Sequence, residues 1–194
     1  MNRLTKLLCL VLLGTVVGWE PALGQAPVQP AAVAPAAPAP ATKLEAFKPA
    51  AGTVMTFGYN NLGTVSGISV DARELRDTKG GIVRGVAVEV TESEYREERS
   101  FVDTDELPEL LKGIDALLSI KTNPTTFENF EVRYTTKGEL QVTVFNRGGG
   151  DFRYVVQAGR TTIARRYLDE DGLRKLRTMF ETAMQELSTQ PAKH

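Results

Sequence analysis

The sequence predicts an α+β fold: an antiparallel sheet with two amphipathic helices on its apolar face, built as a duplicated ββββα unit. Three observations carry this. Apolar and polar residues alternate in several short runs, the period of half-buried strands. Two later segments switch to the i, i+3, i+4, i+7 spacing of a helix with one buried stripe. The starts of those two helices match each other at a fixed offset, with Leu107 aligned to Leu173.

Taken from the N-terminus, residues 1–24 read as a secretory signal peptide. Arg3 and Lys6 form a positive start, Leu7 to Val17 an apolar stretch, and Ala22-Leu23-Gly24 a small-residue cleavage site before Gln25. The apolar stretch is shorter than the about 20 residues a membrane span needs. Intact-mass measurement of exported protein is expected to show a chain beginning near Gln25; a mass that includes residues 1–24 would mean an anchor instead. Residues 25–51 read as a linker, since Ala26 to Thr42 holds five prolines and eight alanines, a composition that favours extended polyproline II. Residues 52–190 read as one α+β domain, with pseudo-repeats over about 52–122 and 123–190.

Within the domain, Ile68, Val70 and Ala72 alternate with Ser69, Asp71 and Arg73, and Val86, Val88 and Val90 with Ala87, Glu89 and Thr91. Phe130, Val132 and Tyr134, then Leu140, Val142 and Val144, then Phe152, Tyr154 and Val156 repeat the pattern. One apolar face per strand favours an antiparallel sheet. Asp77 to Gly81, Thr136-Lys137-Gly138, Arg147 to Gly150 and Gln157-Ala158-Gly159 supply turns. The first helix carries Leu107, Leu110, Leu111, Ile114, Leu117 and Leu118, with Pro108 in its first turn, where a missing N–H is harmless. The second carries Leu173, Leu176, Phe180, Ala183 and Leu187.

Both helices start with an aromatic, an aliphatic, then Asp-x-Asp-x-Leu: Phe101-Val102-Asp103-Thr104-Asp105-Glu106-Leu107 and Tyr167-Leu168-Asp169-Glu170-Asp171-Gly172-Leu173. Neither copy has the ligand set of a calcium loop. The acids read as helix caps, with Asp103 and Glu106 at capping-box spacing.

Composition narrows the chemistry. The chain has one Cys, one His and one Trp, and a formal charge of −1. Removing residues 1–24 takes away Cys9, Trp19, Arg3, Lys6 and Glu20, which leaves no cysteine and a charge of −2. Zinc sites, Ser-His-Asp and Cys-His catalysis and disulfide frameworks all need residues this chain barely has, and its histidine, His194, is the last residue. Gly148-Gly149-Gly150 lies between strands and does not open a helix, so it is no dinucleotide loop. Glu92, Glu94, Glu97 and Glu98 cluster near Tyr95 and read as a solvated hairpin rim; a carboxylate-based hydrolase is the alternative they leave open. No catalytic, cofactor-binding or metal-binding residue is assigned, and no cofactor is expected.

The run Tyr134-Thr135-Thr136-Lys137-Gly138-Glu139-Leu140 with Val142 to Asn146, and Ser100-Phe101-Val102-Asp103 before the first helix, resemble a loose set of exported bacterial proteins of unknown function. That resemblance implies a structural domain and supplies no catalytic residues. The tandem ββββα order is also similar to the Whirly and PC4-type single-strand DNA-binding folds, an analogy of topology alone. No Lys-Gly-Lys-type motif is present. Residues 51–122 carry a net charge of −5 against +1 for residues 123–190, where Arg160, Arg165, Arg166, Arg174, Lys175 and Arg177 gather. The strand alternation places Phe130, Tyr134, Phe152 and Tyr154 on the core face, away from a base-stacking position. The expected function is an exported, periplasmic or secreted, non-catalytic interaction module. Its partner would be a protein or envelope component, with no nucleic acid and no transmembrane segment after signal cleavage. A hydrolase or a single-strand binder is the alternative.

Overall fold

The computed structural model describes residue 39, residues 41–146 and residues 151–189. The chain divides into Met1–Ala36 and Ala37–His194, and every described residue belongs to the second unit. The expected signal peptide, most of the expected linker and the Arg147 to Gly150 turn lie outside the described residues.

Alternation in the sequence becomes two four-stranded antiparallel sheets. β1 (Met55–Val65), β2 (Ile68–Asp77), β3 (Ile82–Ser93) and β4 (Arg96–Asp103) pair in sequence order to form the first. β5 (Glu131–Thr135), β6 (Gln141–Asn146), β7 (Phe152–Ala158) and β8 (Ala164–Leu168) do the same for the second. The β1–β2 hairpin turns on Ser66 and Gly67, both at positive φ, as a two-residue hairpin of matching twist requires. Each sheet is followed by a helix: α2 (Leu107–Ser119) after the first and α3 (Glu170–Thr189) after the second. A four-residue helix, α1 (Lys43–Ala46), precedes β1. The ββββα order therefore occurs twice.

The helices are exchanged between the sheets. α2 packs on β5 and β6 of the second sheet, while α3 packs on β1 and β2 of the first, and the helices touch each other. The fit is close, since Gly113 of α2 lies directly over the Tyr134 ring. β3 and β4 meet β7 and β8 at the other end, where the Gly159 N–H donates to the buried Ser100 hydroxyl at 3.1 Å. Neither unit closes a core alone. Ile68, Val70, Val88, Leu110, Ile114, Val142, Val144, Tyr154, Leu176 and Phe180 belong to one continuous cluster. Leu107 and Leu173, Leu110 and Leu176, and Ile114 and Phe180, the positions matched by the repeat, are all fully buried.

Two expectations need correction. The folded part starts before residue 52. Thr42 and Leu44 are buried, Leu44 lies against Gly85, and the Thr42 hydroxyl and Glu45 carboxylate form a reciprocal capping box on α1. The Leu44 side chain supplied no periodicity by itself, so the Pro/Ala composition around it concealed the contact. The second correction concerns the acids before α2. Asp103 does not cap its own helix: its carboxylate accepts the Lys43 N–H at 2.9 Å. Glu106 reaches across to the Lys137 N–H at 2.7 Å. The matched Asp169 does cap α3, accepting the Gly172 N–H at 2.8 Å. Identical local spacing was satisfied locally in one copy and by distant backbone in the other.

Asp103 thus fastens the α1 segment to the domain. Asp103→Ala leaves a part-buried N–H without an acceptor and is expected to cost about 1–3 kcal/mol in urea unfolding. The neighbouring Asp105, whose partner Lys43 lies 3.0 Å away in a half-exposed pair, should cost under about 1 kcal/mol on the same substitution. Equal losses at the two positions would refute this role for Asp103.

The acid side of the stability profile follows from paired carboxylates. Glu74 is held below the usual carboxylate range by its hydrogen bond to Arg76, and Asp115 by Arg177, which bridges α3 to α2 through bonds of 2.5 and 2.9 Å. Lys121 and Arg174 lower Glu170 in the same way. A carboxylate with a depressed folded pKa contributes stability above its unfolded value of about 4, and loses that contribution as pH falls through the folded value. Stability should therefore be flat above about pH 5 and fall below about pH 4. Asp115→Asn should make that fall shallower, at a cost near neutral pH of about 0.2–1 kcal/mol for so exposed a pair. A profile unchanged by the substitution would remove the Asp115–Arg177 pair as a contributor.

Candidate functional site

Strand pairing sets the outer face of the second sheet into rows. Glu131, Phe145 and Arg153 stand side by side in one row. Arg133, Thr143, Val155 and Tyr167 form the next. Thr135, Gln141, Gln157 and Arg165 form the third. The alternate residues of the same strands, Val142, Val144, Tyr154, Val156 and Leu168, face the core. The period of two that builds the core thus also builds this surface.

The face is concave. A depression of about 800 Å³ is lined by members of all three rows, among them Arg133, Thr143, Phe145, Gln157, Arg165 and Tyr167. A second, of about 410 Å³, continues past Phe145, Asp151, Arg153 and Tyr167. A third, of about 510 Å³, is bounded by Ser66, Glu92, Arg165, Arg166 and Tyr167. Tyr167 borders all three. Its ring is 59% exposed and meets Phe145 edge-on with centroids 6.2 Å apart.

Charge on this face is only partly neutralised. Arg133 is paired with Glu131. Arg153 and Arg165 are exposed and have no ion pair or hydrogen bond among the described residues. Arg166 points the other way, donating to the Thr91 carbonyl at 2.5 Å and joining the two sheets. At the floor, Thr143 is 2% exposed and its hydroxyl has no hydrogen-bond partner. The Gln157 amide donates to the Gln141 side-chain carbonyl at 3.0 Å.

The first sheet differs at the same place. There Arg73 pairs with Asp71 at 2.9 Å and Arg99 with Glu89, so its outer cations are matched by acids two residues or one strand away. The α1 segment also packs on β3 and β4. Among the described residues, one outer face is charge-paired and partly covered, while the other is uncovered and carries guanidiniums without a partner.

Of the acidic cluster read from the sequence, Glu92 borders the third depression beside Arg165 and Tyr167. Glu94 and Tyr95 sit at the exposed tip of the β3–β4 hairpin, Glu92 lies 3.5 Å from Arg96, and Glu97 accepts the Thr91 hydroxyl at 3.1 Å. Phe130 and Tyr154 are buried, and Tyr134 and Phe152 half-buried, as the alternation predicts. Burial pushes the Tyr154 and Tyr134 hydroxyls above their ordinary range. The aromatics of the outer face were missed. Phe145 falls one position out of phase with Val142 and Val144, which was the available signal. Tyr167 was absorbed into the repeated helix start, although the repeat itself carries the answer, because its partner Phe101 also lies on an outer face.

No described helix is long and apolar enough to cross a membrane. With one cysteine, the chain can form no internal disulfide. No family model matches the chain and no curated protein matches it, so the functional reading rests on the geometry of the β5–β8 face.

Proposed function

We propose that this protein is an exported, non-catalytic binding module that engages an envelope or secreted partner through the outer face of β5–β8. One observation carries the reading: Tyr167 stands exposed, with the half-buried Phe145 against it, beside Arg153 and Arg165, which have no partner among the described residues, on a concave face whose counterpart in the first sheet is charge-paired. Exposed aromatic and arginine side chains together are the residues that most often dominate binding energy. The export part rests on the sequence of residues 1–24.

A second reading, single-stranded nucleic acid, is favoured by the same aromatics and by the strand-helix order. Against it stands charge. Single-strand binders need a continuous basic groove, and this face offers three guanidiniums beside Glu131 and Asp151.

Co-sedimentation of the purified chain with the envelope fraction of the producing cell tests the proposal. Retention is expected for the unaltered chain, and its loss for the Tyr167→Ala/Arg165→Gln variant. Equal retention of the two would overturn the assignment of this face.

A further inference from the structure

We infer that the β5–β8 face takes an acidic oligosaccharide, with a sugar ring laid on Tyr167, which Phe145 buttresses edge-on, and carboxylates held by Arg153 and Arg165. The inference rests on the binding-module reading and names its ligand class.

Four features of the face specify the ligand. Tyr167 lies diagonal to Arg153 across the β7–β8 ladder and two residues from Arg165 on the same face, so its ring has a cation on either side. The two arginines are four residues apart in register, which is about 14 Å along the strands. The ligand must therefore be extended, with anionic groups separated by a neutral stretch. An exposed aromatic ring flanked by polar groups needs a partner that is flat and rich in C–H on one side and polar at its edges.

The groups between the arginines are neutral hydrogen-bonding ones. Gln157 and Gln141 use one donor and one acceptor on each other, which leaves an amide oxygen on Gln157 and an amide NH₂ on Gln141 for a ligand. The Thr143 hydroxyl lies buried, so the hydrogen-bonding groups that a ligand can reach between the arginines are those of Gln141 and Gln157. Hydroxyl groups are donor and acceptor together and match these amides. A chain of hydroxylated rings with a carboxylate at intervals meets every one of these requirements.

The competing ligands meet fewer. A neutral glycan leaves Arg153 and Arg165 unpaired. A nucleic acid brings a phosphate with every base, and the face has two guanidiniums without a partner among the described residues to answer them, in a chain whose net charge is −1. An acidic peptide would satisfy the arginines and leave the Tyr167 ring without a flat C–H face.

Isothermal titration of the purified chain with oligogalacturonate tests the inference, with its methyl ester, poly-glutamate and oligo-dT as comparison probes. Oligogalacturonate is expected to bind, and esterification to weaken binding at least about tenfold by removing the carboxylates. Tyr167→Ala and Arg165→Gln should each weaken it by about tenfold or more. Both side chains are exposed, so thermal unfolding should be unchanged and the loss attributable to the face. Absence of oligogalacturonate binding at millimolar concentration, equal binding of the ester, or tighter binding of oligo-dT or poly-glutamate would each overturn the inference. If the face variants lose envelope retention while oligogalacturonate does not bind, the ligand class is wrong and the module reading stands. If retention ignores the face variants, both fall.

Discussion

Phe180→Ala is expected to lower the stability of the protein by about 3–5 kcal/mol. Phe180 is fully buried, near the middle of α3, in the cluster that joins both sheets. Removing the ring takes away its transfer free energy and leaves a cavity that the helix, held on β1, β2 and α2, cannot close. Leu110→Ala and Leu176→Ala, at positions matched by the repeat, should cost about 2–5 kcal/mol each. Urea unfolding followed by fluorescence and circular dichroism measures these losses. The transitions should stay single and coincident, because each helix covers the other unit's sheet and neither unit has a core to retain. A loss below about 1 kcal/mol at Phe180 would contradict its burial. Two resolved transitions would contradict the exchange of helices.

Gly138→Ala should be comparably damaging for the opposite reason. A Cβ at Gly138 would stand 1.9 Å from the Phe101 carbonyl oxygen and 3.0 Å from its carbon. Those are backbone atoms of β4, so no rotamer change relieves the clash, and the β5–β6 turn must lift off the first sheet. Overpacking costs about 1–3 kcal/mol and occasionally more, and a clash against backbone belongs at or beyond the upper end. At about 2–4 °C per kcal/mol for a domain of this size, the melting temperature should drop by roughly 6 °C or more. Gly58→Ala is the control: its nearest neighbours would be 3.8 Å away, an ordinary contact, and stability should change by less than about 0.5 kcal/mol. Equal effects at the two glycines would mean that the close approach at Gly138 does not hold the units together.

Turn chemistry marked Gly138, and its place against β4 could not be read from it. Thr136-Lys137-Gly138 reads as a hairpin turn, which it is. That the turn also receives Glu106 at the Lys137 N–H and meets the Phe101 carbonyl depends on residues more than 30 positions away. The candidate site divides in the same manner. Its polar members, Glu131, Arg133, Gln141 and Arg153, follow from alternation. Its aromatic members do not, since Phe145 breaks the phase of β6 and Tyr167 lies on a strand too short to show a period. Whether Arg153 and Arg165 are paired was undecidable from the chain, because a pairing partner is set by cross-strand register.

The sequence by itself determined the local order: which residues alternate, which recur at helical spacing, where the turns fall, and that the ββββα order occurs twice. These are short-range consequences of backbone geometry and of the need to bury one face of each element. Tertiary structure decided everything that turns on which face meets which. It sent α2 to the second sheet and α3 to the first, because an apolar stripe is buried equally well against any complementary apolar sheet. It also turned Asp103 from a helix cap into an anchor for α1, and left the β5–β8 face uncovered among the described residues. Hydrophobic burial is non-directional, so periodicity names the buried face without naming its partner, and packing and cross-strand register make that choice.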